Sequence, residues 1–425
     1  MTETKTYQSL DQSVTRTVLD NGLTVYVIPK PGFKKMYAMF ATHYGGVDLT
    51  FSSNGQTHQT PAGVAHFLEH KMFDMPDGTN AATLLSHAGA IPNAYTSFDT
   101  TAYYFECNEN FYENLRTLLT FVTTPYYTPD SVAKEQGIID QEIKMIEDSP
   151  DNMVMYNMLT GLYAHHPISI PIAGTTESIS GITAETLHLC HKTFYSPGQM
   201  VLCVCGDVDA GQVADMAAKL TAWPSVGEVL RDYGPEDHTR ANQAVYESQM
   251  EVSRPLFMLG YKMTPPPSGP ETLRHELLGE LACETLLGRS SSLYAKMYGE
   301  GLINKSFEYG YVGFSGGACL LVGGESSDPA AISERLQQAS ETAGRQGVDA
   351  ALFDRLKKAA MGGHLRVLDE AENVCRNVIK AHFSGYDYFT FPELFESLTT
   401  EAAAEVLRQT MTVERTTLST IRPKQ

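Results

Sequence analysis

The chain alternates between short runs patterned as strands and longer runs patterned as amphipathic helices. Thr17–Lys30, TVLDNGLTVYVIPK, reads as two strand-like runs joined by a turn at Asn21-Gly22. Ala62–Phe73, AGVAHFLEHKMF, places Val64, Phe67, Leu68 and Met72 at helical spacing. Ala90–Thr101, AIPNAYTSFDTT, predicts a strand with proline near its start. Gly198–Asp209, GQMVLCVCGDVD, predicts a buried strand closing a first half, and Gln212–Leu220 a helix. Residues 224–242 are polar and punctuated by Pro224, Gly227, Gly234 and Pro235, so they read as a linker. Beyond them AVYESQMEV and PLFMLGYKM predict two strands, and His275–Leu287 a helix. The order strand, strand, helix echoes the first half, a weak repeat that divides the chain into residues 1–223 and 243–425.

The pattern gains chemical meaning at residues 66–70, His-Phe-Leu-Glu-His. On a helix His66 and His70 project from one face, away from the apolar stripe, at a spacing that lets two imidazoles hold one Zn²⁺. Glu69 stands beside the second ligand, in the H-x-x-E-H order where the glutamate is the general base. A catalytic zinc needs a third protein ligand. In Lys134–Asp148, KEQGIIDQEIKMIED, Glu135 and Glu142 lie two helical turns apart on one face, flanked by Ile138, Ile139, Ile143 and Ile146. Two carboxylates in an apolar stripe are costly unless paired or bound to metal. The same spacing also suits an amphipathic helix whose glutamates reach water or a lysine, and local sequence does not choose. His275-Glu276 in HELLGEL is not a second site, because Gly279 stands where a zincin motif needs histidine.

AGVAHFLEHKMF, then GAIPNAYTSFDTTAYYFE, then KEQGIIDQEIKMIEDSPD resemble, in that order, the insulinase/pitrilysin family of zinc peptidases, and most of all its processing-peptidase branch in bacteria. The resemblance spans nearly the whole chain and implies an α+β fold of two related halves, each a mixed or antiparallel β-sheet packed with α-helices. Carried over, it implies one Zn²⁺ per chain held by His66, His70 and Glu142. Glu69 becomes the base that takes a proton from the attacking water, and Glu135 a supporting carboxylate that orients a ligand histidine. The Asn-Ala segment of the family is an edge strand that pairs with substrate backbone, which implies that Asn93 and Ala94 touch peptide. The residues by themselves read rather as an ordinary hairpin strand. The implied activity is hydrolysis of short or unfolded peptides by a metalloendopeptidase.

Composition fits a large enzyme of two or more domains. At 425 residues one core is not expected, and a net charge of −19 argues against nucleic-acid or anionic-membrane surfaces. No apolar run approaches transmembrane length, and the polar start MTETKTYQSLDQS lacks the apolar core of a signal peptide. The seven cysteines are scattered, and Cys203 and Cys205 share one face of a core strand, so a reducing, cytoplasmic setting is expected.

One departure from the family pattern bears on partners. Active members carry an Arg and a Tyr in the second half that bind the substrate carbonyl; the aligned positions here are Met297 and Asn304, with Arg289, Tyr294, Tyr298 or Tyr309 as stand-ins. The resemblance therefore implies a heterodimer in which a homologous, metal-free subunit supplies the Arg and Tyr, with a homodimer as the alternative. A non-catalytic structural or peptide-binding subunit of the same fold is the competing function. Such subunits typically lose metal ligands, and this chain keeps them all.

Overall fold

The computed structural model describes residues 1–424. Among these residues fifteen strands form three sheets. In the first half β1 (Thr2–Tyr7), β2 (Gln12–Val18), β3 (Thr24–Pro29), β4 (Met36–Thr42), β7 (Ala90–Thr96), β8 (Thr101–Cys107) and β9 (Met200–Gly206) form a seven-stranded sheet of order β1-β2-β3-β9-β4-β8-β7. Here β5 is Thr50–Ser53, β6 is Gln56–Gln59 and β10 is Val229–Asp232; these make a small sheet of order β10-β5-β6. The second half carries β11 (Val245–Met250), β12 (Leu256–Met263), β13 (Glu308–Phe314), β14 (Gly317–Glu325) and β15 (Thr416–Pro423), ordered β11-β15-β12-β14-β13. Both large sheets are mixed: β9 runs parallel to β3 but antiparallel to β4, and β11 runs parallel to β15. Two α+β halves of this kind are the architecture that the resemblance implied.

The turn at Asn21-Gly22 joins β2 to β3, with Gly22 at φ +91°. β9 is buried along its whole length, which explains its unbroken apolar run: both faces are covered, with Val201, Cys203 and Cys205 in one core and Met200, Leu202 and Val204 in another. One of those covers comes from the other half, because helix Ala371–Ser384 lies on β4 and β9. In return, helix Pro150–Leu162 from the first half lies on β12 and β15.

Two boundaries differ from the sequence reading. The strand predicted over Ala90–Thr101 stops at Thr96, and Ser97–Thr100 turns the chain into β8, with Ser97 N donating to Thr100 O at 2.7 Å. Residues 224–242 are not a free linker. They contain β10, which pairs with β5, and Arg231 Nε meets the buried Asp48 carboxylate at 3.1 Å. Farther on, Glu236 accepts from Lys262 Nζ at 2.6 Å in a buried pair. A strand of four residues between glycines and prolines is too short to leave a periodic signal.

Candidate metal centre

The motif helix spans Val64–Lys71. Its apolar stripe is buried as the spacing predicted: Val64, Phe67, Leu68 and Met72 are each at most 1% exposed. The helix starts at Gly63, whose φ of +93° and 2.6 Å approach of a would-be Cβ to Ala173 O leave room for no side chain. That contact fixes where the helix begins and so where the histidines point.

Opposite stands the long helix Pro129–Glu147, begun by Pro129 and a capping box between Thr128 and Ser131. Of the isoleucines flanking its carboxylates, Ile139 and Ile143 are buried, whereas Ile138 is exposed. Glu142 and Glu135 face the motif helix. His66 Nε2 lies 3.5 Å from Glu142 Oε1, and His70 Nε2 lies 3.6 Å from Glu142 Oε2. Donor atoms of all three residues lie within 4.8 Å of one another.

Those distances suit zinc. Four-coordinate bonds of about 2.0–2.1 Å place neighbouring ligand atoms roughly 3.4 Å apart. Two imidazoles and one carboxylate also form the donor set that zinc takes when it keeps an open position for water. Glu135 Oε1 sits 3.0 Å from His70 Nδ1, on the far side of the ring from Glu142; a carboxylate that accepts the Nδ1–H hydrogen bond in this way leaves Nε2 free for a metal. Its hydrogen bond raises the His70 pKa against the opposing effect of burial. Glu142 is pulled below the usual carboxylate range, chiefly by its contact with His66. Nδ1 of His66 is buried and has no hydrogen-bond partner.

Glu69 lies on the same helix face, and Thr96 Oγ1 at the end of β7 donates to its Oε2 at 2.6 Å. β7 is the outermost strand of its sheet, with a free edge. Pro92 within it lacks an N–H, which only an edge strand tolerates. Asn93 is exposed on this strand and Ala94 is half-buried. The structure brings together His66, His70 and Glu142, the three residues expected from the sequence, with Glu69 on the same helix; Thr96 was not among the residues the sequence pointed to. The only signal for it was its place two residues after Ala94, on the same face of the strand.

Met297 is fully buried, and Asn304 is tied to Glu325 Oε2 at 2.8 Å and to Ser306 N at 2.8 Å. Of the stand-ins, Tyr309 donates to Glu284, and Tyr294 stacks on Tyr298. Among the described residues no arginine pairs with His66, Glu69, His70 or Glu142.

Two family models match successive parts of the chain. The model described as insulinase (peptidase family M16) matches residues 53–176, around the motif helix and its carboxylate partner. The model described as the peptidase M16 inactive domain matches residues 181–360. An uncharacterized zinc protease of Bacillus subtilis, YmfH, is 34% identical over 98% of this chain and 98% of its own length. A solved M16-like protein from Alicyclobacillus acidocaldarius is 33% identical, with a TM-score of 0.93 over 98% of this chain and 99% of that one. A protease from Helicobacter pylori shares the fold at a TM-score of 0.80 and 19% identity, over 96% and 99% of the two chains.

An inverted zinc motif on a helix and a carboxylate helix facing it, set in two α+β halves, together define a two-half metallopeptidase fold. The chain belongs to the insulinase (M16) peptidase family. Among its described residues, no helix is long and apolar enough to cross a membrane.

Proposed function

We propose that this chain is a zinc-dependent endopeptidase of short or unfolded peptides and the zinc-holding subunit of a two-chain enzyme. The observation that carries the reading is the convergence of His66, His70 and Glu142 beside Glu69. Zinc held there supplies Lewis acidity, lowering the pKa of water and polarising a peptide carbonyl. Glu69 accepts the proton of the attacking water on Oε1, since Oε2 is engaged by Thr96, and returns it to the leaving amine. Glu135 keeps His70 in the metal-binding tautomer. The free edge of β7, at Asn93 and Ala94, offers backbone groups to an extended peptide, which gains hydrogen bonds with little demand on sequence. Glu69→Gln tests the assignment: the variant should keep its zinc and lose hydrolysis, and full activity would refute the role of Glu69.

The two-chain reading rests on Met297 and Asn304. One is sealed in the core and the other is committed to Glu325 and Ser306, so neither can grip a substrate carbonyl. A homologous, metal-free partner supplies the Arg and Tyr across the chamber in this reading. Native mass spectrometry of the complex from its own cells should show a zinc-loaded pair of two different, related chains. A zinc-loaded homodimer or monomer, active alone, would refute it, and a metal-free complex would favour a structural subunit instead. A cytoplasmic location fits the buried free thiols of all seven cysteines.

A further inference from the structure

The second half contributes nothing to the metal trio, yet it reaches the strand assigned above to peptide binding. Helix Ala371–Ser384 crosses onto the first half's sheet and carries Arg376 toward the β7–β8 hairpin. The guanidinium carbon lies 4.1 Å from the ring centre of Tyr95 on β7 and 5.2 Å from that of Tyr104 on β8. Nη2 donates to the Tyr104 hydroxyl at 3.3 Å. Glu372, one turn back on the same helix, accepts from Nε at 2.9 Å and Nη2 at 2.8 Å and so holds the guanidinium plane in place.

These contacts fall on one face of the hairpin. Asn93 stands opposite Tyr104 in the ladder, and the Tyr95 and Tyr104 rings are 6.3 Å apart. Strand alternation puts Thr96 on the other face, where it holds Glu69. β7 is bonded to β8 along one side only. Its position therefore depends on what packs against its two faces, and Arg376 is the polar anchor on the face turned from the metal.

We propose that Arg376 is a positioning residue through which the metal-free half fixes the peptide-binding strand relative to Glu69. Stacking on two tyrosines holds Tyr95 and Tyr104, the hairpin follows, and the backbone at Asn93 and Ala94 meets substrate at a set height above the base. The proposal rests on the peptidase reading for its link to substrate, but not for the clamp itself.

The test compares the full-length zinc-loaded protein with Arg376→Ala and Arg376→Lys. Amide hydrogen exchange over Ile91–Thr96, without substrate, reads the clamp; KM and kcat on an unfolded peptide read its use. Loss of two cation–π contacts should speed exchange over β7 by about tenfold and raise KM by about the same factor. Zinc content should stay as in the parent, and the unfolding midpoint should fall by no more than the same tenfold factor, about 1.4 kcal/mol, accounts for. Arg376→Lys, which keeps the charge but not the planar stack, should fall between. Unchanged exchange over β7 in Arg376→Ala would overturn the proposal. So would a loosened β7 with unchanged KM. A parent protein that holds no zinc or cleaves no peptide would count against the peptidase reading instead, and the exchange comparison would still decide the clamp.

Discussion

Glu135 gives the sharpest test of the metal centre, because it touches no metal in this arrangement and yet should control affinity. Its Oε1 meets His70 Nδ1 at 3.0 Å, with the two side chains 14% and 27% exposed. A hydrogen bond with one charged partner in such a half-dry setting contributes about 1.5–3 kcal/mol. Glu135→Gln keeps the acceptor oxygen and loses only the charge, so zinc affinity should drop about tenfold. Glu135→Ala also frees the imidazole to turn and change tautomer, and its loss should approach about a hundredfold, or about 2.7 kcal/mol. Competition between the protein and a zinc-binding dye measures both, with circular dichroism confirming the fold. Glu142→Gln, which removes a direct ligand, should lose more than either. If Glu135→Ala bound zinc within twofold of the parent, Glu135 would not orient a metal ligand, and the placing of His70 in the trio would fall with it.

Thr96→Val keeps the shape of the β7 terminus but releases Glu69 Oε2, and should lower kcat about tenfold with zinc content unchanged; equal kcat would show that the base needs no such support. Acid sensitivity follows from buried neutral histidines. Burial lowers His43 to about 3, and His166, His191 and His382 to about 4. Because these folded values lie below the unfolded one, their contribution is fully present above about pH 6.5 and is lost as pH falls, by about 1.4 kcal/mol each at pH 5.5. Asp48 works the other way: burial raises it to about 6, so its protonation recovers about 1 kcal/mol at pH 5.5. The net expectation is a lower urea midpoint at pH 5.5 than at pH 7.5, and an equal or higher midpoint would refute it.

What the sequence disclosed, and what it withheld, divides by the range of the interactions involved. Val64, Phe67, Leu68 and Met72 announced a buried helix face because a single helix expresses its own period, and His66 and His70 followed from the same spacing. Glu135 and Glu142 were ambiguous alone, since nothing local tells a zinc-facing carboxylate from one reaching water. Ile138 shows why: it shares the stripe with the buried Ile139, yet it is exposed. The end of β7 at Thr96 and the existence of β10 were hidden by short elements with weak patterns. Arg376 was out of reach altogether. Its partner Tyr104 is 272 residues away, and only the crossing of a helix from one half to the other brings them together.

That crossing also limits how the molecule can move. Val154, Met158 and Leu162 are buried where the first half's helix lies on β12 and β15, and Gly161 is packed so closely that a Cβ would stand 2.3 Å from the Thr417 side chain. On the other side Val374, Cys375 and Val378 are buried where the second half's helix lies on β4 and β9. Parting the halves would expose all six side chains, at about 1.5–3 kcal/mol for each of the larger ones. The total, roughly 10 kcal/mol, equals the whole stability of an ordinary domain. Residues 224–242 add to the hold, since β10, Arg231 and Glu236 are each engaged. Parting the halves within this chain is therefore costly. In the two-chain reading proposed above, closure over the metal centre comes from the partner chain, which is also where the buried Met297 and the committed Asn304 leave the Arg and Tyr to be found.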